Sequence, residues 1–182
     1  MNGRLFWLTA ALLVGIAAHI AYILFVPRTQ MDAKMSSFVA LAGTNKLVMV
    51  ESDALATVLP GADPSLAHAV CVFDLASGPV LIKAAVPASY WVISLYAPNG
   101  DSFYSLNNRQ ADQRNLSLLL TGKSSGPDTD RSSNPQVGEG SEMTIRSPSP
   151  RGLVLLRARI EAPALRTRVI GDLATSICER AN

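Results

Sequence analysis

The longest apolar run in the chain, Leu5 to Val26 (LFWLTAALLVGIAAHIAYILFV), holds 22 residues without a formal charge, between Arg4 and Pro27-Arg28. As a helix rising about 1.5 Å per residue it spans roughly 33 Å, enough for a hydrocarbon core of about 30 Å. Trp7 and Tyr22 lie towards its two ends, where amphipathic rings favour the headgroup region. The run exceeds the h-region of about 7–15 residues in a cleaved signal peptide. Leu24, Phe25, Val26 and Pro27 also occupy the place where a small-x-small cleavage site would sit. The pattern therefore predicts an uncleaved anchor over residues 1–28, stopping at Pro27, which cannot continue the hydrogen-bond ladder. With Arg4 on one side and Arg28 and Lys34 on the other, charge hardly decides orientation. A signal-anchor arrangement, with the short tail inside and residues 29–182 exported, is expected. His19 lies one helical turn after Gly15, and a lone histidine there reads as a neutral imidazole facing a neighbouring helix or the interface.

Beyond the anchor the pattern changes. Met35, Phe38, Val39 and Ala42 fall at helical spacing, followed by Gly43 as a C-cap. Eight short runs rich in β-branched and aromatic residues come next: 46–50, 68–75, 79–86, 90–97, 102–106, 116–121, 142–146 and 152–160. Ser77-Gly78-Pro79 and Pro98-Asn99-Gly100-Asp101 read as tight turns between antiparallel neighbours. No stretch between the runs supports repeated crossover helices, so the expected fold is an antiparallel β-sandwich. Residues 123–141 hold almost nothing to bury and read as a mobile loop. Leu165, Val169, Leu173 and Ile177 recur every four residues, predicting a helix within 163–180, weakened at Gly171.

Charge adds little beyond this. The 182 residues carry 16 Lys+Arg and 14 Asp+Glu, a net charge of +2. Arg4 and Arg28 flank the anchor, so residues 29–182 hold 14 basic (16 minus 2) and 14 acidic side chains. A neutral domain offers no electrostatic case for nucleic acid. Two histidines and two cysteines leave little for a zinc cage, and no His-x-x-His, Cys-x-x-Cys or phosphate-binding loop supports a metal or cofactor.

Cys71 sits on the inward-alternating positions of its strand with Phe73 and Leu75, and Cys178 near the edge of the C-terminal helix. In an exported domain the two can form one bridge or stay as two small buried side chains. A bridge would close a loop of 107 residues (178 minus 71). His68 is the sole histidine beyond the anchor and so the one imidazole base open to a hydrolase site. The densest polar cluster holds Tyr90, Trp91, Tyr96, Asp101, Tyr104 and Arg109. Aromatics beside a carboxylate and a guanidinium can form a carbohydrate- or peptide-binding face. They also make an ordinary sandwich core with one rim ion pair. Tyr96, Asp101, Tyr104 and Arg109 are the candidate binding face. Asp74 and Lys83 flank the Ser77 turn and can pair across it.

The runs LAGTNKLVMV, VCVFDLASGPVLIKAAVPASYWVISLYAPNGDSFYSLNNRQ and SPSPRGLVLLRARI resemble an uncharacterised bacterial exported-protein family, domain of unknown function 1254. The likeness extends over residues 36–178, through its Phe-Asp-Leu, Gly-Pro-Val and Tyr-Trp elements. It implies an immunoglobulin-like sandwich and transfers no catalytic residue. It also implies a companion domain, carried in short membrane-anchored versions by a separate protein. The expected function is a single-pass inner-membrane protein whose periplasmic sandwich binds or assembles with that companion. Half of an envelope hydrolase completed by its partner and a carbohydrate-binding module are the alternatives.

Overall fold

The computed structural model describes residues 3–50, 59, 61–111, 115–122, 136–137 and 142–181. Helix α1 (Gly3–Ala42) is followed by strands β1 (Leu47–Val50), β2 (Leu66–Asp74), β3 (Val80–Ala85), β4 (Trp91–Tyr96) and β5 (Ser102–Asn107). Then come β6 (Asn115–Thr121), β7 (Gln136–Val137), β8 (Glu142–Arg146) and β9 (Arg151–Arg159). A single 3-10 turn (Pro163–Leu165) leads into α2 (Arg166–Ala174), and β10 (Ile177–Arg180) ends the chain. Apart from two-residue β7, the boundaries of the eight predicted runs shift by two residues at most. The proposed mobile loop, 123–141, falls outside the described residues except for β7.

The strands form two five-stranded sheets. Sheet A has the order β1-β2-β9-β4-β5, and sheet B the order β10-β3-β6-β8-β7. Their inner faces close on one core of Cys71, Phe73, Trp91, Ile93, Leu95, Val154 and Leu156 from A against Val80, Ile82, Leu118, Leu120 and Ile145 from B. The protein is mainly β, a two-sheet sandwich with a long apolar N-terminal helix and a short C-terminal one.

Five local expectations are corrected. The Ser77-Gly78-Pro79 turn does not join paired strands: β2 lies in sheet A and β3 in sheet B, so the turn carries the chain between layers. Asp74 pairs with Arg151 of β9 at 3.6 Å, a half-exposed contact worth little. Sheet B is mixed, because β6 and β8 run parallel. The connection between Thr121 and Glu142 is long enough for the crossover that parallel neighbours need. The C-terminal helix stops at Ala174. Val169 and Leu173 are buried, whereas Leu165 and Ile177 are exposed. Ile177 and Cys178 instead belong to β10, antiparallel to β3 with Cys178 opposite Ile82. Pairing with β3 satisfies backbone groups that a last helical turn would have left in water. The helix runs through Gly171 without a break.

The fifth correction concerns Pro27. The helix does not end there but continues for fifteen more residues, to Ala42. Proline removes one ladder bond, and the Thr29 hydroxyl donates to the Val26 carbonyl at 3.0 Å in the same turn. The continuation is stabilised by burial. Met35 and Phe38 pack on Val70, Val72, Leu153 and Val50, the outward side chains of sheet A. Strand β2 is consequently buried on both faces from Ala67 to Phe73. Gly43, with φ +85°, closes the helix, its N–H bonded to the Val39 carbonyl at 2.8 Å. Asn45 then ties the helix end to β2. Its amide donates to the Asp74 carbonyl (3.1 Å) and accepts from the Asp74 N–H (2.8 Å).

Cys71 of β2 and Cys178 of β10 are disulfide-bonded, with Cα atoms 6.5 Å apart. The bridge joins an interior strand of sheet A to an edge strand of sheet B. In the chain-entropy view, closing 107 residues contributes about 4–5 kcal/mol. Substituting both cysteines with serine should lower the urea-unfolding free energy by about that amount, and a reductant should have the same effect on the wild type but none on the variant.

Gly152, where β9 crosses β2 and β4, admits no side chain. An added Cβ would collide with the Tyr96 carbonyl oxygen and sit 2.5 and 2.7 Å from Cζ and Cε1 of Phe73. Both obstacles are fixed, one by the β4–β9 ladder and the other by the inter-sheet core. Gly152→Ala should cost about 3 kcal/mol, read as a lowered denaturation midpoint, while Gly171→Ala, which meets nothing within 4 Å, should not destabilise.

Candidate functional site

The residues of the candidate binding face are dispersed by the pleat of sheet A. Leu95 points inward, so Tyr96 points outward, where it packs beneath α1 beside Leu153. Between Leu95 and Tyr96 the β4–β5 register shifts: Leu95 faces Tyr104 and Tyr96 faces Ser102, leaving Phe103 as the extra residue of a bulge. Phe103 and Tyr104 both turn into the inter-sheet core. The Tyr104 hydroxyl donates to Met143 Sδ at 2.8 Å, and burial pushes its phenol above the ordinary value. Tyr96 and Tyr104 thus occupy opposite faces of one sheet. Asp101 ends the β4–β5 turn, and Arg109 lies beyond the other end of β5, about 20 Å away at the rise of a strand. Trp91 is buried in the core, while Tyr90 is exposed.

Asp101 instead belongs to a cleft that sequence reasoning missed. Its walls are Arg28 and Asp32 of α1, Ala97, Pro98, Asn99, Asp101 and Phe103 around the β4–β5 turn, and Pro148 and Ser149 between β8 and β9, enclosing about 520 Å³. Arg28 and Asp32 are one helical turn apart, on the same side of α1. The turn is internally braced. Ala97 N–H bonds to the Asp101 carbonyl at 2.9 Å, and Gly100 N–H to the Ala97 carbonyl at 2.9 Å. The Asn99 amide donates to Asp101 Oδ2 and accepts from the Asp101 N–H. Gly100, with φ +88°, places its backbone against Pro27: a Cβ there would be 3.9 Å from Pro27 Cβ. The cleft therefore lies where α1 leaves its apolar stretch. A helix continued past Pro27 would have revealed the Arg28–Asp32 pair; their approach to the turn depends on how α1 crosses the sheet.

A second polar group was half seen. His68, only 3% exposed, lies opposite Arg157 on the β2–β9 ladder. Among the described residues His68 Nδ1 and Arg157 Nε are buried without a hydrogen-bond partner. Burial and the neighbouring guanidinium hold the imidazole below its ordinary pKa, opposed by the Leu66 carbonyl and the more distant Asp63. Asp63, whose carboxylate accepts the Ser65 N–H at 2.8 Å, stays below the usual carboxylate range. His68 and Asp101 do not converge. Through Arg157, His68 aligns with Val92, and Asp101 adjoins Ala97, five residues or about 16 Å further along β4.

The sign of the His68 effect follows from its lowered pKa. The folded protein binds this proton less readily than the unfolded chain, so stability from this group is complete above the unfolded value near 6.5 and is lost as pH falls below it. Melting temperature in wild type should decline more steeply below pH 6.5 than in His68→Leu, with the curves parallel above it.

Comparison with known proteins agrees with this architecture. The family described as "Protein of unknown function (DUF1254)" matches residues 44–170, 127 of the 182 residues (170 minus 44, plus 1). The chain belongs to this family. No curated protein matches it. Among solved structures, the VPA0106 protein of Vibrio parahaemolyticus superposes with a TM-score of 0.58 at 11% identity, over 86% of this chain and 36% of that one. A putative uncharacterized protein from Burkholderia cenocepacia gives 0.45 at 15% identity, over 69% and 36%. This chain therefore spans little more than a third of the length of either structure. The long apolar helix is of the kind found in a membrane anchor or a signal sequence.

Proposed function

We propose that this DUF1254 protein is a single-pass protein of the bacterial inner membrane whose sandwich, on the periplasmic side, serves as a binding and assembly module for a protein carrying the companion domain. The observation that carries the reading is the burial of Met35 and Phe38 against the outer face of sheet A. It makes the apolar helix and the sandwich one body and holds the strand edges at a set height above the lipid. In the Vibrio neighbour the matched fold occupies 36% of a longer chain, which supports a module that works beside further structure. The proposed docking edge is β5, the last strand of sheet A, with Ser102 and Ser105 exposed along it and Asp101 and Arg109 at its two ends. The separation of His68 from Asp101 gives the half-hydrolase alternative no geometric support.

Affinity purification of the full-length chain from detergent should recover a companion-domain protein. The double substitution Ser102→Lys and Arg109→Glu should reduce that recovery about tenfold, since a lysine in the edge strand resists strand addition and the reversed charge at 109 removes a flanking contact. Recovery of the wild-type chain alone would overturn the proposal.

A further inference from the structure

The cleft beneath the apolar stretch combines three features. The first is position. Pro27, the first residue after the uncharged run, lies beside Gly100 of the β4–β5 turn, where an added Cβ would come within 3.9 Å of its Cβ, and Arg28 and Asp32 extend the same helix over the next turn and a half. If α1 spans the bilayer, the cleft opens at headgroup depth. The second is charge. One guanidinium, from Arg28, and two carboxylates, from Asp32 and Asp101, line it together with Asn99 and Ser149. Among the described residues none of these three charged groups forms an ion pair. The third is size. About 520 Å³ falls within the range of roughly 300–1,000 Å³ usual for small-molecule sites, and Ala97, Pro98, Phe103 and Pro148 give it apolar walls.

We infer that the cleft binds the headgroup of a zwitterionic phospholipid carrying a primary ammonium, of the phosphatidylethanolamine type. Arg28 presents a planar fork of N–H donors to the phosphate oxygens. Asp32, one helical turn further from the lipid, and Asp101, across the cleft, receive the ammonium. Asn99 donates to Oδ2 of Asp101, orienting the carboxylate and leaving Oδ1 for the ligand. Two carboxylates against one guanidinium disfavour a headgroup of net negative charge. A quaternary ammonium lacks the N–H donors that these carboxylates would accept. The assignment rests on the reading of α1 as a membrane anchor and deepens it: the headgroup would fix the tilt of the sandwich on the bilayer.

The test uses the full-length chain reconstituted in vesicles holding phosphatidylethanolamine, phosphatidylcholine and phosphatidylglycerol in equal amounts, followed by flotation and native mass spectrometry of the released protein. The wild type should float and retain phosphatidylethanolamine about tenfold over either competitor. Asp32→Asn and Asp101→Asn should each reduce that preference, and their combination should abolish it. Arg28→Gln should lower retention of all three lipids. Unchanged melting curves for Asp32→Asn, on the helix surface, separate loss of binding from loss of fold. A chain that floats but retains the three lipids equally, or prefers phosphatidylglycerol, overturns the headgroup assignment alone; a chain that does not float overturns the anchor reading as well.

Discussion

A sheet that is apolar on both faces cannot leave either in water, and sheet A is such a sheet. Its inner face is closed by sheet B. Its outer face, with Val70, Val72 and Leu153 at its centre, requires a second cover, which is the last third of α1 through Met35 and Phe38. Each large side chain so buried is worth about 1.5–3 kcal/mol, enough together to hold the helix past a proline that on its own disfavours continuation. The consequences extend in both directions. Towards the N-terminus, the helix joins the apolar stretch to the sandwich and brings Arg28 and Asp32 over the β4–β5 turn. Towards the C-terminal side of α1, Gly43 and Asn45 stitch its end to β2 beside Asp74.

The second organising contact is the disulfide between the two layers. Sheet B ends in a four-residue strand, β10, held by its pairing with β3, by the Ser176 hydroxyl accepting the Ala85 N–H at 3.0 Å, and by Cys178. The bridge ties this short terminal strand to Cys71, in the interior of sheet A. Without it the strand would depend on a ladder whose outer side is exposed. The same economy explains α2, which buries only Val169 and Leu173 and acts as a spacer between β9 and β10.

The strands were legible because their signal is local. Alternation and Gly/Pro punctuation located β2 through β6, β8 and β9 with boundaries differing by at most two residues. The helix of residues 163–180 was misjudged for the opposite reason: a four-residue recurrence from Leu165 to Ile177 says that side chains repeat, not that all of them find a core. Pro27 shows the same limit. Read locally, proline ends a helix; in the fold, the apolar face of residues 31–39 outweighs one missing hydrogen bond. Four residues within fourteen positions looked like one surface, but the pleat and the bulge at Phe103 sent Tyr96 and Tyr104 to opposite faces and left Asp101 and Arg109 at opposite ends of β5.

From sequence alone came the apolar span, the strand-rich composition, the family and the two cysteines available for a bridge, since each depends on run length, residue type or short motifs. Tertiary structure decided which strands share a sheet, that β6 and β8 run parallel, that the apolar helix continues onto the sandwich, and that Arg28 and Asp32 meet Asp101 across a cleft. Those outcomes depend on contacts distant in the chain, from 25 positions between Ser117 and Glu142 in the β6–β8 pair to 73 between Arg28 and Asp101, whose energies no local pattern encodes.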